Sequence, residues 1–137
     1  MLFRSKGILA IFSSLQPKSF KNNTPVILDN SQMSQSNSKN YHHFFPRAFL
    51  ERKNIPNYNV ISNITLISAS DNQKDIRDKA PSKYMSEFEK NNPKLQKTMK
   101  NHLIHDLNDF GILNDDYQKF IAKRTKLIFD EIKNRAG

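Results

Sequence analysis

The chain has 137 residues, with 22 Lys and Arg against 13 Asp and Glu, and a net charge of +9. That length suits a single domain burying about two-thirds of the surface its unfolded chain exposes. The absence of cysteine excludes disulfides and thiolate zinc sites, leaving His, Asp, Glu, Asn and backbone oxygen as metal donors, a set that favours a hard ion such as magnesium or manganese.

The basic excess is spread along the chain without a dense run. It suits a polyanionic partner, against the simpler reading of a solvated surface. Residues 1–15 hold the apolar run Gly7-Ile8-Leu9-Ala10-Ile11-Phe12, too short to span a bilayer. Arg4 and Lys6 precede it and the first acid is Asp29, so an organelle-targeting leader is one reading. Without a small-residue cleavage site, the run is read as a helix packing on the domain and stopped by Pro17. Val26-Ile27-Leu28 reads as a short strand. Residues 31–40 (SQMSQSNSKN) have no periodicity and read as a loop, so 1–40 is expected to be an N-terminal region ahead of a domain at 41–137.

Tyr41 to Phe45 predicts a strand by its aromatics, and Pro46 predicts the start of a helix through Lys53. Asn54 to Asn59 is a loop, Val60 to Ser68 a strand, and Ser70 or Asp71 the N-cap of a short helix reaching Arg77. Pro81 opens a helix to about Asn91, and Pro93 another through Leu103. The last helix, capped by Asn114 or Asp115, carries Tyr117, Phe120, Ile121, Leu127, Ile128 and Ile132 at helical spacing. Arg124 falls within that stripe, to snorkel outward or to meet a phosphate or a buried acid. The fold class is therefore α+β, several helices around a small sheet.

The chemistry concentrates in Tyr41-His42-His43-Phe44-Phe45-Pro46, with Asn63 and Asn72 downstream. A neutral imidazole can take a proton from water near neutral pH, and one divalent ion can stabilise charge on a phosphorane. Adjacent residues on a strand point to opposite faces, so His42 and His43 can share a site only where the strand ends, and Pro46 is placed to end it. The plainer readings are an incidental His pair, Asn63 as a turn residue and Asn72 as a helix cap. His102 and His105 form an H-x-x-H pair with no acid to complete it, and read as surface or packing residues. Phe44, Phe45 and Phe49 read as core.

These residues resemble the His-Me finger, or HNH, endonucleases. The likeness is closer to the C-terminal HNH domain of GmrSD-type modification-dependent restriction endonucleases. It is carried by HHFFPRAFL, Asn63 to Ser68, Asn72, Lys79-Ala80-Pro81-Ser82-Lys83-Tyr84, and Asp115 through Arg124. The resemblance implies a ββα-metal core holding a single magnesium or manganese ion and a DNA substrate. His43 would be the general base, and His42 and Asn72 the metal ligands. Asn63 would be the catalytic-site residue that braces the loop between the strands. RNA-guided DNA nucleases have Asp where this chain has His42. Arg47, Lys74 and Lys79 are near enough in sequence to contact phosphate.

The same likeness implies a cytoplasmic restriction or defence enzyme with no membrane partner. Its N-terminal ParB-like nucleotide-hydrolysing half has no counterpart here, so a C-terminal fragment or remnant is expected. The rival expectation is a catalytically silent remnant serving as a basic DNA-binding or protein-interaction module.

Overall fold

The computed structural model describes residues 6–27 and 40–136. Within them the chain is a mixture of helices and one two-stranded antiparallel sheet, an α+β arrangement. No helix among the described residues is long and apolar enough to cross a membrane.

The N-terminal apolar run forms α1 (Lys6–Ser14) and buries Leu9 and Phe12. It ends at Gln16, whose φ of 55° breaks the helix just ahead of Pro17. The strand predicted at Val26 is absent: Lys18 instead bridges Pro25, and Val26 donates to the Pro17 carbonyl (3.0 Å). Leu28, the loop expected at 31–40 up to Lys39, and residues 1–5 lie outside the described residues.

β1 (Tyr41–His43) pairs with β2 (Ile64–Leu66) in the register Tyr41 with Leu66, His42 with Thr65 and His43 with Ile64. Both strands are shorter than their sequences predict. A 3₁₀ turn at Ile61–Asn63 closes on Asn63 N–H to Val60 C=O (2.9 Å) and replaces the front of the second strand. Phe44 and Phe45 leave the first strand because both rings are drawn fully into the core.

Pro46 does open α2 (Arg47–Arg52), and Pro81 opens α4 (Pro81–Asn91). Proline loses nothing at a helix start, where its N–H would be unpaired anyway. α3 (Ala69–Asp71) is capped by Ser68, whose Oγ accepts from Asp71 N–H (3.0 Å), not by Ser70 or Asp71. It runs on into a π-helical turn (Asn72–Ile76), closed by Arg77 N–H to Asn72 C=O (2.7 Å), and stops at Arg77 with φ at +51°. α5 (Leu95–Lys100) is shorter than predicted.

α6 (Tyr117–Ala136) is capped by Asp116, which accepts from Lys119 N–H (3.1 Å). Neither expected cap, Asn114 or Asp115, serves: Asp115 is engaged elsewhere, accepting from Ser82 N–H (2.9 Å) and Ser82 Oγ (2.7 Å) at the start of α4.

Two apolar clusters share the interior. One gathers Phe20, Phe44, Phe45, Tyr84 and Phe120, with the Phe44 and Phe120 rings stacked at 4.8 Å. The other joins α1, β2 and α6 through Leu9, Phe12, Ile64, Leu66, Leu103 and Ile128. Arg124 is buried beside the second cluster at 1 % exposure, neither snorkelling nor meeting an acid. Its Nη1 donates to the carbonyls of Ser62 (2.8 Å) and Ile64 (2.6 Å), its Nε donates to that of His102 (3.1 Å), and its guanidinium lies 4.7 Å over the Phe12 ring. Burial pulls its pKa down to about 9, so it stays charged at neutral pH.

Arg124→Ala removes all three donors and leaves a cavity, and is expected to cost about 4 kcal/mol in urea denaturation. Arg124→Lys keeps the charge but cannot span all three carbonyls, and should fall between the two. A loss under about 1 kcal/mol in the alanine variant would contradict the role given to this side chain.

His102 is buried with Nε2 2.8 Å from the Lys18 carbonyl, and burial, outweighing that bond, lowers its pKa from 6.5 to about 4. The unfolded chain therefore binds a proton that the folded chain refuses between those values. Its contribution is complete above pH 6.5 and is lost as pH falls toward 4, a loss of order 3 kcal/mol. In His102→Gln, stability measured across that window should lose the part of its pH dependence due to this group.

Candidate functional site

His42 and His43 are both half-buried, on the last two positions of β1. Thr65 Oγ1 donates to the His42 carbonyl (3.2 Å) across the ladder. One rung further on, Phe44 N–H donates to the Asn63 carbonyl (2.7 Å).

The next rung is built by a side chain. Asn63 Oδ1 accepts from Phe45 N–H (2.8 Å), and its Nδ2 donates to the Phe45 carbonyl (3.1 Å) and to the Tyr58 carbonyl (2.9 Å). A carboxamide offers one acceptor and two donors on a planar group, so it can stand in for a peptide of the missing strand. Asn63 is wholly buried, and its three bonds close the segment 44–63 on itself. Aspartate has no donors for the two carbonyls.

That closure sets Tyr58 and Asn59 against His43. The Tyr58 ring meets the imidazole edge-on at 5.5 Å, and Asn59 Oδ1 lies 3.1 Å from His43 Nε2. With Oδ1 accepting, Nε2 carries the proton and Nδ1 keeps its lone pair. Arg47 lies 4.8 Å over the same Tyr58 ring, its Nε bonded to Glu51 (2.7 Å), which leaves an exposed guanidinium one ring away from His43. The sequence offered no local sign of Tyr58 or Asn59. The only pointer was the requirement that a loop-bracing Asn63 must have something in the loop to hold.

Asn72 is half-buried at the start of the π-helical turn, in the helix that follows β2. Its carboxamide makes no hydrogen bond to another described residue, while single-turn π segments recur at functional sites. Its neighbours are engaged: Asp71 accepts from Ser19 Oγ (2.6 Å) and Asp75 pairs with Lys21 (3.6 Å). Lys74 is exposed, and Lys79 pairs with Glu87 (2.9 Å).

Among the described residues no group of three His, Cys, Asp or Glu is disposed to hold a metal ion. The two expected ligands, His42 and Asn72, are both half-buried. His102 is a core residue against Phe20 and His105 is exposed, so the H-x-x-H pair does not join a site.

Against known proteins, no family model, curated protein or solved structure matches the chain.

Asn63→Ala strips partners from Phe45 N–H and from two carbonyls at a buried position. A loss of about 3 kcal/mol is expected by denaturant unfolding. Asn63→Asp should be no better, because it restores the acceptor without the donors and buries a charge. An aspartate variant as stable as the parent would refute the three-bond clasp.

Proposed function

We propose that this chain is a metal-dependent DNA endonuclease domain of the HNH type, hydrolysing phosphodiester bonds with His43 as general base. The observation that carries it is a pair of histidines ending a strand beside a loop clasped by Asn63, with His43 held by Asn59 and Tyr58. Strand, loop, strand and helix follow in the order a ββα-metal core requires, with Asn72 on the helix.

In the reaction His43 Nδ1 takes a proton from water as its oxygen attacks phosphorus, and the bond from phosphorus to the leaving sugar oxygen breaks, that oxygen keeping the electron pair and taking a proton from solvent water. Asn59 keeps Nε2 protonated so that the lone pair stays on Nδ1. Asn63 stops the loop from carrying Asn59 away from the ring. Arg47, exposed over Tyr58, faces the phosphodiester backbone, and Lys74 is a further contact. His42 and Asn72 would hold a magnesium or manganese ion, which when bound supplies positive charge opposite the developing phosphorane.

A second reading is favoured by the lack of any group of three His, Cys, Asp or Glu disposed to hold a metal among the described residues. In it the domain is a silent, basic DNA-binding module.

Plasmid nicking with magnesium or manganese, against the same reaction in EDTA, separates the two. His43→Ala should lose at least about 100-fold in rate, as expected for a missing general base, while binding DNA as the parent does. Salt-sensitive DNA binding without metal-dependent cleavage would leave only the silent module. Equal cleavage by the alanine variant would remove His43 from the mechanism.

A further inference from the structure

Glu87 on α4 is surrounded by cations. Lys79 Nζ donates to its Oε2 at 2.9 Å, with the lysine side chain only 17 % exposed. Lys83 and Lys90 stand one turn before it and one turn after it on the same helical face, and neither forms an ion pair within 4.0 Å with a described acid. The Lys79 hydrogen bond first, then the charges of Lys79, Lys83 and Lys90, hold the Glu87 carboxyl below its ordinary range. A cleft of about 410 Å³ beside the cluster is lined by Lys21, Asn22, Asp75, Glu87, Phe88 and Asn91, so it reaches the π-helical turn that carries Asn72.

We infer that this face of α4 is a docking surface for the phosphodiester backbone of nucleic acid, on which Glu87 holds the place of a phosphate. Lys83 and Lys90 are seven positions apart on a helix, or about 10 Å, close to three steps of rise along one DNA strand. A carboxylate and a phosphate oxygen ask the same of an ammonium group, so in the free protein Glu87 holds the Lys79 head in the position a phosphate oxygen would use. An incoming backbone then exchanges with it at little cost in ordering. The inference rests on the DNA-binding half of the proposed function and not on hydrolysis.

The test is binding of a labelled duplex in EDTA across a salt series. The doubly substituted chain Lys83→Gln with Lys90→Gln should bind about tenfold more weakly, with the log–log salt slope reduced by about two. Glu87→Gln should bind more tightly, with a steeper slope. Lys133→Gln, an exposed lysine at the far end of α6, should match the parent. Unchanged binding in the α4 variants, or an equal loss in Lys133→Gln, overturns the surface. So does polyglutamate competing as well as DNA, which would point to an acidic protein partner. Because EDTA removes any cleavage, binding is read apart from hydrolysis, and a parent that binds here but does not nick plasmid with magnesium or manganese would sink the nuclease reading and leave this one standing.

Discussion

Arg124 and Asn63 hold one another's surroundings in place. The guanidinium of Arg124 grips the carbonyls of Ser62 and Ile64, the residues on either side of Asn63. Ser62 Oγ adds a bond of 2.6 Å to Thr125 Oγ1, the next residue along α6. With its backbone fixed from that side, Asn63 can extend its carboxamide to Phe45 and Tyr58. A buried cation with no carboxylate partner is costly to desolvate, and carbonyl dipoles with one aromatic face offset only part of that. What the arrangement secures is position: a single place in the core from which the Asn63 amide can reach both ends of the loop.

That position matters because segment 44–63 is long for a connection between paired strands, and closing it loses chain entropy. Side chains from separate elements hold it down. Tyr84 on α4 donates its hydroxyl to the Phe44 carbonyl, and Tyr117 on α6 donates to the Asn57 carbonyl (2.6 Å). Both phenols are pushed up by burial, that of Tyr117 to about 12, so neither gives up its proton near neutral pH. Asn63 ties Phe45 to Tyr58. His43 therefore sits at the rim of a loop whose backbone is anchored to the core, and its partners Tyr58 and Asn59 inherit that rigidity. In the role proposed for His43, such support would hold the ring oriented before substrate arrives.

Legibility from sequence followed how local each signal was. Pro46 and Pro81 announced α2 and α4 because a proline's helix-start preference depends on its own geometry alone. Phe44, Phe45 and Phe49 as core and the apolar stripe of α6 were legible, whereas Phe20 and Tyr84, which join the same cluster, were not. Arg124 was not, since an arginine in an apolar stripe looks the same whether it snorkels or is buried, and its three acceptors are backbone groups brought from distant elements. Asp115 and Asp116 are both good caps, and only the approach of Ser82 to Asp115 decides which one α6 receives. The 3₁₀ turn that shortened β2 follows from the demands on Asn63, which β-propensity in Val60 to Ser68 does not encode. Within the candidate site, the histidines and asparagines stood out by residue type. Tyr58 and Asn59 became visible only once the loop was closed.

Charge and stability are divided between different parts of the molecule. Several acids near the surface form ion pairs, Arg47 with Glu51, Lys126 with Asp130 and Arg135 with Glu131 one helical turn apart and Arg52 with Asp78 between separate segments, each worth little in water. The contacts that hold the core are hydrogen bonds from Arg124, Asn63, Tyr84 and Tyr117 to backbone groups, together with ring packing. Salt screens exposed pairs strongly and buried bonds weakly. The fold can therefore carry its positive excess without depending on it. Lysines such as Lys83 and Lys90, which form no ion pair within 4.0 Å with a described acid, add field at the surface while their loss removes nothing from the core. A small domain with charge arranged in this way can meet a polyanion with an already rigid face.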